Sequence, residues 1–234
     1  MKQKKTNIDV IIMAGGLGTR LKPFTNTLPK SLLPLKNKTL IENVIEKFTK
    51  YGAKNFIISI NYKGEEIKTF FKKLKPKYNY KFIEEKKALG NAGNLSLLKD
   101  TKSKDYLITN GDTIVNFNYI DSYAFHKKNR NDVTLIVSKK KYIIPWGECL
   151  LDKNGFLERI NEKPYQYSLA NTGVYIANNR LFNLIKKNTY TNFTDFILIL
   201  KKANKRIGIY PISGDAWIDV GEWESYKKAL RKFK

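Results

Sequence analysis

Residues 8–20 read IDVIIMAGGLGTR, and this stretch decides the fold. Its first part, residues 8–13, is a short apolar run rich in β-branched side chains, which predicts a buried strand. The strand leads into a turn that contains Gly15, Gly16 and Gly18. Glycines let the backbone take positive φ and bring its N–H groups close to a phosphate. The loop alone is weak evidence, because it also fits a simple tight turn, lacks the Gly-Lys-Ser/Thr ending of a P-loop and fits a dinucleotide fingerprint poorly.

Outward from this strand, apolar runs alternate with amphipathic stretches through the first 140 residues. The alternation is typical of βαβ units around a parallel sheet, so we expect an α/β fold. It predicts strands at 8–13, 55–60, 80–84 and 105–110, with helices at 40–51, 64–74, 95–99 and 119–129. Strands at 133–138, 148–152 and 171–177 read as a more antiparallel, inserted part. They are followed by helices at 179–187 and 193–203, a strand at 207–212 and a helix at 222–232.

The length of 234 residues suits one large α/β domain or two small ones, and no linker or repeat divides the chain. The 44 basic and 21 acidic residues give a net charge of +23. Only six of the basic residues are arginines, and the lysines are spread along the chain. A codon bias explains this better than a phosphate-binding stripe does. We therefore expect no nucleic-acid partner, although the field should draw small anions inward.

The chain carries no apolar run long enough for a membrane helix and no signal peptide pattern, so we expect a cytoplasmic protein without a membrane partner. Cys149 is the single cysteine and is interpreted as an inert packed residue. His126 lies beside two lysines and is interpreted as a solvated surface residue. We interpret Trp146, Trp217 and Trp223 as core or wall residues.

The segment after the glycine turn makes the interpretation more specific. Residues 15–35 read GGLGTRLKPFTNTLPKSLLPL and resemble, at nearly every position, the opening motif of the sugar-phosphate nucleotidyltransferases. Further stretches resemble the same family's motifs in order: LGNAGN at 89–94, NGD at 110–112, EKP at 162–164, NTGVY at 171–175 and WIDVG at 217–221. So many ordered matches make an accidental similarity improbable.

The resemblance implies a Rossmann-like mixed, mainly parallel sheet with flanking helices and a smaller antiparallel sugar-binding insertion. It implies one catalytic domain over residues 1–234, with 1–140 mainly nucleotide-binding and 141–234 mainly a sugar-phosphate-binding lobe. The family's reaction converts an NTP and a sugar 1-phosphate into an NDP-sugar and pyrophosphate by Mg²⁺-assisted in-line displacement. A homo-oligomer, a catalytic part of a longer protein and a non-catalytic nucleotide-sugar-binding regulatory homologue stay open.

The resemblance also implies roles for individual residues. The nucleotide would be bound by Ala14, Gly15, Gly16, Leu17, Gly18, Thr19, Glu85 and Gly90. The catalytic residues would be Arg20 on the β- and γ-phosphates, Lys30 on the α-phosphate, Asp112 and Asp219 as Mg²⁺ ligands, and Lys163 on the phosphate of the sugar. The sugar hydroxyls would be bound by Glu162, Asn171 and the backbone at Gly147 and Thr172.

Glu85, five positions before Gly90, bears on the base. The thymidylyltransferases of the family carry glutamine there, whereas a carboxylate can accept hydrogen bonds from both N1–H and the 2-amino group of guanine. GTP is therefore the favoured donor. The alternative activity is that of a thymidylyl- or uridylyltransferase acting on glucose 1-phosphate. An alternative for Glu85 itself is that it points to solvent with Lys86 and Lys87 and that the base is held by backbone alone. Asn91 and Asn94 replace the family's usual Thr and Ala, which suits a modified hexose or heptose without identifying it.

Overall fold

In the computed structural model, which describes residues 8–98 and 103–232, the strand before the glycine turn lies inside a seven-stranded sheet. In chain order the strands are β1 (Asp9–Met13), β2 (Pro34–Leu35), β3 (Lys38–Thr39), β4 (Asn55–Ile60), β5 (Asn79–Glu84), β6 (Asp105–Asn110), β7 (Thr113–Val115), β8 (Val133–Ile143), β9 (Glu148–Leu151), β10 (Leu157–Asn161), β11 (Tyr165–Asn178), β12 (Ile207–Ile212) and β13 (Trp217–Asp219). The large sheet has the order β12-β8-β11-β6-β1-β4-β5.

This sheet is mixed and mainly parallel, which confirms the predicted fold class. β1 pairs in parallel with β4 on one side and β6 on the other. β5 continues the parallel arrangement on β4, and β12 lies parallel to β8. β11 runs antiparallel to both of its neighbours, β6 and β8. The remaining strands form the pairs β2–β3, β7–β13 and β9–β10.

Helices cover both faces of the sheet. They are α1 (Phe24–Thr27), α2 (Leu40–Lys50), α3 (Gly64–Leu74), α4 (Gly90–Gly93), α5 (Tyr119–Lys128), α6 (Phe193–Lys202) and α7 (Trp223–Lys232). α2 begins with a capping box, in which Thr39 and Glu42 each bond the other's backbone N–H. Its buried face carries the predicted stripe of Leu40, Val44, Ile45 and Phe48, together with Ile41. Within the described residues, no helix has the length and apolar character needed to cross a membrane.

Burial of β1 on both faces explains its unbroken apolar run. Val10 and Ile12 belong to the core that α2 and α3 cover, whereas Ile11 belongs to the core that α6 covers. Alternate side chains of a strand point to opposite faces, so a strand with two covered faces needs apolar residues at every position. All three residues have no exposed surface.

The inserted part is longer than the sequence predicts. β8 and β11 extend to Val133–Ile143 and Tyr165–Asn178 and continue beyond the sheet as a two-stranded ribbon, which leads into the hairpin of β9 and β10. β10 has no counterpart in the sequence prediction, because its residues LERIN carry two charges and little apolar pattern. The segments 95–99 and 179–187, predicted as helices, form 3₁₀ turns at Asn94–Leu97 and Asn179–Leu184. Lys99 lies outside the described residues.

The hairpin also explains two wrong assignments of burial. Cys149 in β9 is exposed and is not a packed residue. Trp146 is exposed as well and does not belong to the core, whereas Trp217 and Trp223 pack against core clusters as expected. A two-stranded hairpin that projects from the sheet has no second layer to cover its apolar side chains. Residue types that are usually buried are therefore exposed in this segment.

His126 is buried, and its interpretation as a surface residue is wrong. Its Nδ1 lies 2.8 Å from the hydroxyl oxygen of Thr134, and its Nε2 lies 3.8 Å from a carboxylate oxygen of Asp105. Asp105, at the start of β6, also accepts hydrogen bonds from the side chains of Tyr123, Lys127 and Asn178. A buried polar network at the amino edge of the sheet therefore replaces the expected solvated histidine.

The carboxylate of Asp105 should stabilise the fold in a pH-dependent way. Burial raises its pKa, but His126 and Lys127 lower it by more, so that its pKa lies well below the usual range. The stabilisation is therefore fully present above the unfolded-state pKa of about 3.9 and is lost as pH falls through the folded-state pKa. We expect Asp105→Asn to lower the free energy of unfolding by about 2 kcal/mol at pH 7 and by less at pH 3.

Urea unfolding at both pH values measures this difference. Glu158→Gln, a charge removal on the exposed hairpin, should change little at either pH. An equal loss for Asp105→Asn at pH 7 and at pH 3 would show that the charge of Asp105 has no part in the stabilisation.

Candidate active site

The loop after β1 leaves the sheet at its carboxyl edge, between β4 and β6. Ala14 donates its N–H to the carbonyl oxygen of Ser59, and Gly111 donates to that of Met13, both at 2.8 Å. A cavity of about 520 Å³ opens at this edge. All residues predicted to bind the nucleotide line it, namely Ala14, Gly15, Gly16, Leu17, Gly18, Thr19, Glu85 and Gly90. Arg20, Lys30 and Asp112 line it too.

The three glycines of the loop lack a side chain for different structural reasons. A Cβ on Gly15 would lie 2.9 Å from the backbone nitrogen of Asn61, so packing requires glycine there. Gly18 has a φ of 62° and would bring a Cβ within 2.8 Å of Thr25, so both conformation and packing require it. A Cβ on Gly16 would meet no atom within 4 Å. At Gly16, therefore, no side chain covers the backbone where it faces the cavity.

Arg20 and Lys30, the two cations predicted to bind the phosphates of the NTP, have carboxylate partners. Lys30 stands at the start of a 3₁₀ turn after Pro29 and forms an ion pair with Asp112. Arg20 forms an ion pair with Glu222 at 2.6 Å, in which both side chains are largely exposed. Sequence analysis missed Glu222, although it directly follows the WIDVG motif. An exposed pair of this kind contributes about 1 kcal/mol or less, so an anionic ligand can displace it.

Asp219 reaches Asp112 through the short pair of β7 and β13. These strands are antiparallel, with Asp219 opposite Thr113, the residue after Asp112. Burial and the neighbouring charge of Asp112 raise the pKa of Asp219, against smaller opposing effects of Lys30 and Arg20. Residues far apart in the chain thus form one charge cluster.

The cluster is tightly packed around Gly221. A Cβ on Gly221 would lie 2.9 Å from both Arg20 Nη2 and Asp219 Oδ2. Asp219 itself lines a second cavity, of about 680 Å³, rather than the first. Among residues 8–98 and 103–232, no group of three or more His, Cys, Asp or Glu side chains could hold a metal ion. A metal bound by the two aspartates would therefore take its other ligands from phosphate oxygens or water.

Glu85 also lines the first cavity and is not turned to solvent. Only 8% of its surface is exposed. Its Oε1 accepts hydrogen bonds from Ser59 Oγ at 2.9 Å and Asn94 Nδ2 at 3.1 Å. Its Oε2 accepts from the N–H of Leu89 at 3.0 Å. A buried carboxylate therefore stands where the resemblance places the contact with the base.

The segment around Gly90 is held against residues 190–192. Gly90 has a φ of 76°, and a Cβ there would lie 2.5 Å from the carbonyl oxygen of Thr191. The N–H groups of Ala92 and Gly93 donate to the same oxygen at 3.0 and 3.1 Å. Asn91 Oδ1 accepts from the N–H of Phe193 at the start of α6, at 2.6 Å. Asn91, which also lines the first cavity, therefore ties α4 to the start of α6.

The residues predicted for the sugar lie in two places. A Cβ on Gly147 would lie 3.2 Å from Glu162 Oε2, so these residues adjoin each other at the base of the hairpin. Lys163 follows them and is exposed, with a φ of 45°.

The other two sugar-side positions, Asn171 and Thr172, lie near the end of β6. Asn171 accepts from the N–H of Gly173, where a Cβ would come within 2.6 Å of Asn110 Nδ2. The hydroxyl of Thr172 is buried, donates to the carbonyl oxygen of Ile136 and accepts from the N–H of Val174. None of the five sugar-side residues is among those that line the two cavities.

A family model described as "Nucleotidyl transferase" matches residues 9–234. The chain belongs to this family. It is 31% identical over 225 residues to the mannose-1-phosphate guanyltransferase of Schizosaccharomyces pombe, covering 92% of this chain and 61% of that protein. It is 30% identical over 227 residues to the mannose-1-phosphate guanylyltransferase catalytic subunit beta of Dictyostelium discoideum, covering 94% and 63%. The chain thus spans about 60% of the length of these curated relatives.

A solved structure is similar over its whole length. HddC from Yersinia pseudotuberculosis superposes with a TM-score of 0.77 at 25% identity, covering 97% of this chain and 100% of that one. The same protein has been solved in a complex with GMP-PN, with the same TM-score. The resemblance to the sugar-phosphate nucleotidyltransferases is thereby confirmed at the level of the family and the fold.

Sequence analysis gave no role to several residues that line the first cavity, among them Asn61, Tyr190, Asn192 and Gly221. Asn61 follows β4 directly, so the position after that strand was the available signal. Tyr190, Asn192 and Gly221 reach the cavity only through tertiary contacts. Gly221 ends the WIDVG motif, whereas no local pattern marks Tyr190 or Asn192.

Alanine substitution should separate the two neighbouring glycines of the loop. Gly15→Ala forces a contact with the backbone of Asn61 and should lower the free energy of unfolding by about 2 kcal/mol. Gly16→Ala meets open space and should change stability by less than about 0.5 kcal/mol. It should nevertheless weaken NTP binding, because its methyl group enters the space that a phosphate chain needs.

Urea unfolding and calorimetric titration with GTP and Mg²⁺ measure the two effects. If Gly16→Ala binds GTP as tightly as the wild type does, the phosphates do not pass over Gly16.

Proposed function

We propose that the chain transfers a nucleotidyl group from an NTP, with GTP preferred, to a sugar 1-phosphate, and releases pyrophosphate. The observation that carries the proposal is the charge cluster at the carboxyl edge of the sheet. Arg20, Lys30, Asp112 and Asp219 meet there, beside a glycine loop that lines a cavity. Such a site has cations for a polyphosphate and oxygen ligands for a divalent cation.

The glycine loop and the two cations would bind the triphosphate. Backbone N–H groups around Gly16 would face the phosphates, where no Cβ stands in the way. Arg20 would exchange Glu222 for the β- and γ-phosphates, and Lys30 would exchange Asp112 for the α-phosphate. Charge on the departing pyrophosphate and on the α-phosphate would then be balanced during in-line attack by the sugar phosphate oxygen. No nucleophilic side chain is needed.

Members of this family generally use a divalent metal. The donor set fits one, because Asp112 and Asp219 are hard oxygen ligands, and burial and the charge of Asp112 raise the pKa of Asp219. We infer that these two residues hold Mg²⁺. When bound, the ion would neutralise phosphate charge and align the reacting groups. Release of Asp112 from Lys30 would free both side chains for their roles.

The residues beyond 140 would supply the acceptor side. Lys163 would bind the phosphate of the sugar 1-phosphate and lower the repulsion between two polyanions. Glu162 and Asn171, with backbone at Gly147 and Thr172, would bind hydroxyl groups of the sugar. Asn171 lies beside the end of β6, and β6 ends two residues before Asp112. This placement supports the arrangement.

GTP is the proposed donor for two independent reasons. Relatives at about 30% identity are named mannose-1-phosphate guanyltransferases. In addition, the buried Glu85 offers an acceptor to a base that carries a ring N–H, and the amide found in the thymidylyltransferases is absent.

Pyrophosphate release with each of four NTPs and a panel of sugar 1-phosphates tests the proposed reaction. We expect GTP to exceed UTP and dTTP by at least about tenfold in kcat/KM, because the two carbonyl oxygens that flank the ring N–H of uracil and thymine would lie close to the buried carboxylate. Glu85→Gln should narrow this gap. Equal rates with GTP and dTTP would favour the thymidylyltransferase alternative, and no release with any pair would exclude the transfer reaction.

The proposed metal ligand Asp112 can be tested with and without turnover. Asp112→Asn keeps the shape of the side chain but removes a ligand charge, so turnover should fall by about two orders of magnitude or more. The rise in Tm that Mg²⁺ and GTP give the wild type should become smaller. Asp121→Asn, in the exposed first turn of α5, is the matched control and should leave both readouts unchanged. Wild-type turnover of Asp112→Asn at limiting Mg²⁺ would show that Asp112 is not a ligand.

A further inference from the structure

The carboxylate of Glu85 belongs to a closed hydrogen-bonded triangle beneath the first cavity. Asn94 Nδ2 donates to Ser59 Oγ at 2.9 Å and to Glu85 Oε1 at 3.1 Å. Ser59 Oγ donates in turn to the same Oε1 at 2.9 Å. All three side chains are buried, and Asn94 and Glu85 line the cavity. Oε1 is therefore held by two donors on the protein side.

The backbone of Glu85 is fixed as firmly as its side chain. Its N–H donates to the carbonyl oxygen of Ile60 at 3.0 Å, and its carbonyl oxygen accepts from Asn61 Nδ2 at 2.7 Å. The N–H of Leu89 closes a loop back onto Oε2 at 3.0 Å. Glu85 is thus held in one orientation before any ligand arrives.

The amide of Asn94 is oriented so that its Nδ2 donates to Glu85, while its own Oδ1 receives no hydrogen bond from the described residues. Its Oδ1 is buried and has no hydrogen-bond partner among the described residues. Rotating the amide by 180° would place Oδ1 against the carboxylate of Glu85, where two acceptors would repel each other. An unpaired buried acceptor destabilises a fold. The site keeps this destabilising arrangement directly beside the carboxylate of Glu85, which points to a role for the donor.

We propose that Asn94 and Ser59 are positioning residues for base recognition, which hold Oε1 of Glu85 and leave Oε2 to accept one hydrogen bond from a ring N–H of the base. A carboxylate has about four acceptor sites. Ser59, Asn94 and Leu89 fill three of them. The proposal rests on the proposed nucleotidyl transfer and states how its donor is chosen.

A single remaining acceptor sorts the bases by their ring nitrogen. Guanine and hypoxanthine both carry N1–H, so the 2-amino group of guanine adds nothing at Glu85. Adenine N1 and cytosine N3 are acceptors and would face the carboxylate with a lone pair. Uracil and thymine carry a ring N–H, but a carbonyl oxygen on each side of it would lie close to the negative charge. The expected order is GTP and ITP together, then UTP and dTTP, then ATP and CTP.

The comparison of GTP with ITP in the wild type tests whether Glu85 has a single free acceptor site for the base. The kcat/KM values of the two should agree within about threefold, since no hydrogen bond at Glu85 distinguishes them, and both should exceed that of ATP by at least about tenfold. A preference for GTP over ITP of more than about tenfold would overturn the proposal, because it would require a second acceptor for the 2-amino group.

Substitution of Asn94 tests its positioning role. Asn94→Ala removes one donor from Oε1, so the carboxylate can turn, and the preference for GTP over ATP should fall by about tenfold. The KM for the sugar 1-phosphate should stay unchanged, which a general loss of structure would not allow. Ser59→Ala removes the other donor and should act in the same direction, so the test survives if one variant does not fold.

Asn131→Ala is the matched control. Asn131 is also buried and also donates through its amide to a hydroxyl, that of Thr134, but it precedes β8 at the amino edge of the sheet. It should lose stability and keep the wild-type base preference. An unchanged GTP-to-ATP ratio in both Asn94→Ala and Ser59→Ala would overturn the positioning role.

Calorimetric titration with GTP, ITP and ATP, without sugar 1-phosphate, separates this proposal from the proposed function. Binding in the expected order without pyrophosphate release would contradict the transfer reaction and support the base-reading site. Pyrophosphate release together with equal binding of GTP and ATP would support the transfer reaction and contradict the base-reading site.

Discussion

The parallel pairing of β1 between β4 and β6 is the constraint on which the rest of the structure depends. Its side chains fill two cores, so a shift of one residue in register would exchange the two sets. With the register fixed, the ends of the strands align at one edge. The glycine loop, Asn61 and Asp112 follow from those ends and meet around one cavity. Local sequence provides the residues, and burial of the sheet decides where they meet.

A second, weaker constraint completes the site. The two short strands β7 and β13 carry Asp112 and Asp219 to each other from positions more than a hundred residues apart. Val220, which follows Asp219, is buried in a separate core cluster together with Leu21, Leu33 and Leu35. This cluster ties the opening motif to the end of the chain. Because Arg20 and Lys30 lie on the same motif, packing there sets the distance between the cations and the carboxylates.

Most of the sheet and many of the residues that line the first cavity could be predicted from the sequence. Strands buried on both faces, such as β1 and β4, read as continuous apolar runs, and the glycine loop carries its own pattern. The ribbon and hairpin beyond Ile143 could not be delimited, because strands exposed to solvent need no regular apolar pattern. Sequence analysis gave Tyr190 no role and placed His126 at the surface, because tertiary contacts alone decide the surroundings of both residues.

Arg20 and Lys30, the two cations proposed to bind the NTP, are each balanced by a neighbouring carboxylate, Arg20 by Glu222 and Lys30 by Asp112. A small monovalent anion can replace only one of these partners, and it gains little where a carboxylate already neutralises the charge. A polyphosphate would span both cations, and a divalent ion bound with it would compensate the displaced Asp112. The proposed site would therefore discriminate among anions by valence and span. In a chain with a net charge of +23, such discrimination would keep the proposed site from being filled by the monophosphates that the field of the protein attracts.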